Sequence, residues 1–239
     1  NRLLYLAQQK VQARLLDAGL ARDLFVVSLS TTTIVYKALT TADDLSKFYP
    51  DLLDERFESR FAIIHRRFST NTRTTWDRAQ PFRLTAHNGE INTIQGNLGW
   101  SYAREQALGL KSGELLTHDG TSDSGNLNEQ VEALRYRSGI PRLEDVLGIV
   151  VPPADTDADY YQFWGRAMEP WDGPAFIAYS DGHTVGARLD RSGFRPARWA
   201  LTDHTFYLAS EAGIFGVDES SIIKKGALQA GGGVYVSLD

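Results

Sequence analysis

With 239 residues, 42% of them apolar and 23% charged, the chain has the balance of an ordinary globular protein with a sizeable core, far from a disordered or fibrous composition. A net charge of -5 argues against a broad electrostatic grip on nucleic acid or anionic membrane, which needs clustered Lys and Arg, and favours small-molecule chemistry. Cysteine is absent, which excludes disulfides, zinc–thiolate sites and iron–sulfur ligation by this chain.

The chain opens inside a helix: Leu3, Leu4, Leu6, Ala7, Val11, Leu15 and Leu16 recur at three- and four-residue spacing, predicting one buried face and a break at Asp17 to Gly19. Opening within an element predicts a domain that has been cut. "LFVVSLS" and "TIVYKAL" read as adjacent antiparallel strands, "LSKFYPDL" as a short helix ended by Pro50, and "RFAIIHRRF" as a strand entering a polar loop. Residues 94–108 and 126–138 read as helices, the second with Asp123 and Ser124 as caps ahead of Leu127, Val131 and Leu134. "LEDVLGIVV" and "DADYYQFWGRAM" predict two more helices. "EPWDGPA" predicts a turn that buries Trp171 and aims a strand at Ala175. "PAFIAYSDGHTVGARLD" predicts a hairpin with a type I′ turn at Asp181-Gly182, and "TFYLAS" and "GVYVSL" predict closing strands. No repeat, linker or charge shift divides the chain, so one domain of α+β class with antiparallel sheets is expected. No apolar stretch reaches the roughly 20 residues of a membrane span, and the start lacks a secretory apolar block, so a cytoplasmic setting is expected.

"TAHNGEINT" raises the sharpest chemical question. Asn-Gly is the commonest two-residue hairpin turn. Alternatively, Asn88 and Gly89 aim their N–H groups at one spot as an oxyanion hole, glycine permitting a close approach that a Cβ would obstruct. In "HRRFSTNT", Arg67 is either a surface ion pair or a two-toothed clamp for a carboxylate, beside Thr70 and Asn71. Asp123 is either a helix cap or an acceptor for an ammonium group. A carboxylate clamp and an ammonium acceptor together describe an α-amino acid. Histidines 65, 87, 118, 183 and 204 show no i, i+4 pairing, which argues against a metal site. In "LDRSGFRPAR", Gly193 relaxes a bend while Arg191, Arg195 and Arg198 satisfy carboxylates or carbonyls.

"RFSTNT", "WDRAQPFR", "AHNGEINT", "SDS", "MEPWDGPA" and "LDRSGFRPAR", in this order, resemble the class II glutamine amidotransferase domain of the glutamate synthase large subunit, and the similarity runs from about residue 5 to the end. The resemblance implies an N-terminal-nucleophile hydrolase fold, a four-layer αββα sandwich of two antiparallel sheets, with residues 1–239 forming a partial domain. It implies hydrolysis of L-glutamine to glutamate and ammonia, for transfer to an acceptor such as 2-oxoglutarate in a synthase domain. By it, Asn88 and Gly89 are the oxyanion donors, Arg67 binds the α-carboxylate, Asp123 binds the α-amino group, and Thr70 and Asn71 line the pocket. It implies no cofactor in this domain, and FMN and an iron–sulfur cluster elsewhere in the parent enzyme. Arg66 replaces a usual Gln, Arg73-Thr74 an aromatic–proline pair, and Gly125 an alanine. The N-terminal cysteine nucleophile of the family has no counterpart here. The remainder of the domain, carrying that cysteine, is therefore an expected partner. The alternative is a catalytically inactive module that binds glutamine or holds a partner domain, and a third reading is a fragment without independent function.

Overall fold

The computed structural model describes the chain except residues 22, 68–72, 111–113, 115, 119 and 239, and the side chain of 212. Its centre is an antiparallel sheet in the order β1 (Thr85–Gly89), β2 (Ala175–Ser180), β3 (Thr184–Leu189), β7 (Gly233–Ser237). A second antiparallel sheet has the order β5 (Phe206–Ala209), β4 (Arg198–Leu201), β6 (Lys224–Ala227). Six α-helices are described: α1 (Arg2–Asp17), α2 (Leu45–Phe48), α3 (Ile94–Ala107), α4 (Asp123–Glu132), α5 (Leu143–Val150) and α6 (Asp159–Trp164). This is the expected α+β class with antiparallel sheets.

The core forms where α4 and α5 cover the larger sheet. In β2, Ala175, Ile177 and Tyr179 are buried at alternate positions, as a strand with one covered face requires. They meet Leu127 and Val131 of α4 and Leu143, Val146, Leu147 and Val150 of α5. Two polar links fix α4 against the chain entering β1. Arg83 donates to both carboxylate oxygens of Glu132, each at 2.7 Å, and the Asn128 carboxamide oxygen accepts from the Leu84 N–H at 3.0 Å. Charge-assisted, two-pronged and buried, the first link defines one geometry. Whatever the first turn of α4 carries is thereby held near β1.

Several sequence expectations are corrected. The β2–β3 hairpin does not have a type I′ turn: Ser180 pairs with Val185, and among the described residues none other than glycine has positive φ, whereas type I′ needs it at both central positions. The Asp181 carboxylate instead accepts from the N–H groups of His183 and Thr184, each at 3.1 Å, and this local bonding builds a wider turn with Gly182 at φ +87°. In α1 the face that is buried carries Tyr5, Gln8, Gln9 and Ala13, while Leu3, Val11 and Leu16 stay exposed. The contact that orients this helix is aromatic, Tyr5 against Tyr136 at 5.7 Å between rings, so periodicity of the leucines misplaces its face.

"LFVVSLS", "TIVYKAL" and "RFAIIHRRF" join no ladder among the described residues. Their β-branched content favours extended backbone, but a strand also needs an edge to pair with. The first two are held at the link between them and within the second. Thr32 Oγ1 donates to the Asp181 carbonyl at 2.7 Å, and Lys37 Nζ donates to the carbonyls of Asp77 and Ala79 between the rings of Phe25 and Phe82. Conversely, β4 and β6 escape sequence reading: β4 starts on the last residue of the Arg-rich "LDRSGFRPAR" stretch, and β6 begins with two lysines, a pattern of short, charged strands.

Candidate functional site

The Asn88-Gly89 pair lies in a strand and not in a turn. Residues 85–89 pair in register with β2, Asn88 opposite Phe176 and Gly89 opposite Ala175. Gly89 has φ +149°, a conformation essentially confined to glycine. A Cβ there would overlap the Pro174 carbonyl oxygen and lie 2.7 Å from its carbon. Gly173, at φ +154°, faces back in the same way: its Cβ would overlap the Glu90 carbonyl oxygen and lie 2.8 Å from the Asn92 nitrogen. With side chains removed at both places, the two backbones close up. Glu90 N–H donates to the Pro174 carbonyl at 2.9 Å, and Asn92 and Thr93 N–H donate to the Asp172 carbonyl at 2.8 and 3.2 Å. Something is thus held against Gly89, and it is the "WDGPA" segment, which buries Trp171 and starts β2 at Ala175 as expected. Asn88 is exposed, and its carboxamide makes no hydrogen bond among the described residues. It is available to a ligand.

Asp123 stands beside this strand end. Ser122 is the cap of α4, its Oγ accepting from the Gly125 N–H at 3.1 Å, which corrects the assignment of Asp123 and Ser124 to that role. Relieved of capping, the Asp123 carboxylate accepts from the Ile91 N–H at 2.8 Å, two residues beyond Gly89. Its place in the first turn of α4 also suits its charge, since the helix N-terminus is the positive end. Gly125 closes the same turn tightly: a Cβ there would overlap the Thr121 hydroxyl and lie 3.2 Å from its Cβ.

Arg67 is exposed and forms no ion pair among the described residues. It follows by two residues the half-buried His65, whose imidazole is pushed down by burial while the nearby His87 backbone opposes that shift. Thr70 and Asn71 lie outside the described residues. The structure therefore ties Asp123 to Ile91, two residues beyond Gly89, and shows no contact of Arg67 with Asn88, Gly89 or Asp123 among the described residues.

Residues that sequence reasoning passed over support this cluster. His87, one position before Asn88, is buried, with Nδ1 2.7 Å from the Ser124 hydroxyl. Its backbone is gripped by Gln80, whose carboxamide accepts from the His87 N–H at 2.6 Å and donates to its carbonyl at 2.9 Å. Asp190 is buried and organises "LDRSGFRPAR": its carboxylate accepts from the N–H groups of Ala175, Ser192, Phe194 and Arg195 at 3.0–3.1 Å. An Asp ahead of a tight Ser-Gly bend is the signal that could have found it. Of the arginines in that loop, Arg191 approaches Asp172 at 3.8 Å, while Arg195 Nε is buried without a hydrogen bond among the described residues, against the expectation that it satisfies a carboxylate or carbonyl.

Burial drives the His87 imidazole down to about 4, with His65 and Arg195 adding to the shift and Asp123 opposing it. Burial also lowers His65. Between pH 6.5 and 4 the unfolded chain then binds a proton at residue 87 that the folded chain refuses, so stability falls as pH falls through that window. His118 works in the opposite sense: although burial opposes it, the Glu129 carboxylate holds its ring above the usual value. Urea midpoints at pH 7, 5.5 and 4.5 should decline in that order, and the decline should shrink in His87→Phe. A decline of the same size in His87→Phe as in the unmodified protein would contradict the burial of a neutral ring.

Residues 1–239 match the family model for class-II glutamine amidotransferases. The chain belongs to this family. The amidotransferase chain is 42% identical over 258 residues to ferredoxin-dependent glutamate synthase 2, chloroplastic, of Arabidopsis thaliana, covering 100% of this chain and 16% of the relative. It is 41% identical over 253 residues to the glutamate synthase [NADPH] large chain of Azospirillum brasilense, covering 98% of this chain and 16% of the relative. The chain thus spans 16% of the length of these relatives. Among solved structures, glutamine phosphoribosylpyrophosphate amidotransferase from B. subtilis aligns with a TM-score of 0.40 and 17% identity over 73% of this chain and 34% of that one. No helix among the described residues of the amidotransferase chain is long and apolar enough to cross a membrane.

Proposed function

We propose that this amidotransferase chain forms the glutamine-holding part of a glutaminase site, in which L-glutamine is hydrolysed to glutamate and ammonia for an acceptor such as 2-oxoglutarate. The observation that carries the reading is the Asp123 carboxylate lying across the residues that follow Asn88-Gly89, bonded to the Ile91 N–H. The other carboxylate oxygen of Asp123, which also accepts from the Ser124 hydroxyl, has a remaining lone pair with which to take the α-ammonium group of the substrate. The exposed Asn88 carboxamide and the Gly89 amide polarise the side-chain carbonyl and stabilise the oxyanion of the tetrahedral intermediate. Arg67 takes the α-carboxylate, and Thr70 and Asn71 line the pocket beside it.

The attacking group of a thiol mechanism has to come from outside these 239 residues, because the sequence holds no cysteine. Attack by that thiolate forms a glutamyl thioester and releases ammonia, and water then releases glutamate. The proposed partners are therefore the remainder of the amidotransferase domain, carrying the cysteine, and a synthase domain that consumes the ammonia. FMN and an iron–sulfur cluster belong to that synthase portion; this chain has no thiolate to ligate a cluster. A cytoplasmic setting is proposed.

Thermal unfolding with and without 10 mM L-glutamine tests whether the pocket binds. A ligand present at 100 times its Kd adds about 2.7 kcal/mol and should raise Tm by several degrees. D-glutamine should give a smaller shift, and equal shifts from L-glutamine, D-glutamine and glycine would contradict the reading.

A further inference from the structure

We infer that His87 is a positioning residue which, through Ser124, fixes the distance between the ammonium acceptor Asp123 and the oxyanion pair Asn88-Gly89. The inference rests on the reading of those three residues as a glutamine site. Its basis is a closed circuit of contacts. The ring of His87 joins the Ser124 hydroxyl at 2.7 Å, the Ser124 hydroxyl donates to Asp123 Oδ1 at 3.4 Å, and Asp123 Oδ2 accepts from the Ile91 N–H at 2.8 Å. His87 and Ile91 stand on either side of Asn88, Gly89 and Glu90. The first turn of α4 is therefore tied to the strand both before and after the oxyanion pair.

The need for such a tie follows from the chemistry. An aspartate has two rotatable side-chain bonds, and an amino acid held at its α-ammonium presents its side-chain carbonyl correctly only if that anchor stays put relative to the oxyanion donors. With the Ile91 bond alone, the carboxylate could swing about Oδ2. The second tether, through Ser124, removes that freedom. His87 suits the far end of the tether because its backbone is itself clamped by Gln80, and burial keeps the ring neutral at pH 7, so it adds no charge to compete for Asp123. Packing of the ring alone would not require the Ser124 bond.

The test compares Ser124→Ala, His87→Phe, the double variant and His87→Asn in the intact protein. Asparagine can hydrogen-bond from near the position of Nδ1, whereas phenylalanine fills the space without the bond. Hydrogen–deuterium exchange of the peptide containing Ile91 reads the circuit without any ligand, and glutamine titration reads its consequence. Ser124→Ala and His87→Phe should each speed exchange at Ile91 and weaken glutamine binding about tenfold, as loss of a bond to a charged group implies. The double variant should be no worse than the weaker single one, and His87→Asn should recover most of the loss. Unchanged exchange at Ile91 in Ser124→Ala, or additive losses in the double variant, overturns the inference. Faster exchange combined with no glutamine binding by the unmodified protein supports the tether and overturns the glutamine reading instead.

Discussion

Replacing Gly89 with alanine should cost on the order of 4–5 kcal/mol, enough to stop β1 from seating, and should abolish glutamine binding. Two independent penalties act at this position. The backbone has φ +149°, which a Cβ disfavours whatever the surroundings, and the methyl would overlap the carbonyl oxygen of Pro174, a backbone atom that cannot rotate away. That carbonyl also accepts from the Glu90 N–H at 2.9 Å, so moving it breaks the stack of the two segments. Gly99→Ala supplies the control. It lies within α3 with open space where the Cβ would go, so it should be neutral or stabilise by about 0.5–1 kcal/mol. Urea unfolding separates the two, and an unchanged midpoint in Gly89→Ala would show that β1 and the "WDGPA" segment are not packed as described.

Asn88→Ala should lower kcat for glutaminase activity by about 10²–10³-fold and leave KM within a few-fold, measured in the assembly that supplies the cysteine. The reason is that the carboxamide is exposed and makes no hydrogen bond among the described residues, so its loss strips nothing from the fold. Its donor is needed most when the substrate carbonyl becomes an oxyanion. Arg67→Ala should act the other way, raising KM with kcat largely kept, because a carboxylate clamp holds ground state and transition state alike. If both variants depressed kcat and raised KM to the same extent, the division of roles between them would fail.

How far this was legible in the sequence depended on whether the deciding contact was local. The helices α3, α4 and α5, the strands β2, β3 and β7, and the burial of Trp171 followed from periodicity and turn residues close in sequence. Residue type alone also marked Asn88, Gly89 and Asp123 as chemically able. What it left open was whether Asn-Gly formed a hairpin turn, and the answer lay at Pro174, remote in sequence. The same holds for Asp123, whose release from capping depended on Ser122 taking that task. His87 and Ser124 gave no signal of their contact, Ser124 reading only as a cap and His87 only as an unpaired histidine, because they meet only when α4 packs on β1. The β-branched runs of residues 24–30 and 33–39 misled for the converse reason: residue preference is local, but ladder pairing is a property of two segments, and neither run pairs among the described residues.

The central claim is that Asp123 takes the ammonium end of an amino acid whose side-chain carbonyl faces Asn88 and Gly89. Titrating the unmodified protein and Asp123→Asn with L-glutamine, and with its analogue lacking only the α-amino group, isolates that contact. Asparagine keeps an oxygen for the Ile91 N–H, so the fold is spared while the negative charge is lost. The account predicts that Asp123→Asn weakens L-glutamine about tenfold or more and leaves the deaminated analogue unchanged. Equal weakening of both ligands, or of neither, would contradict it.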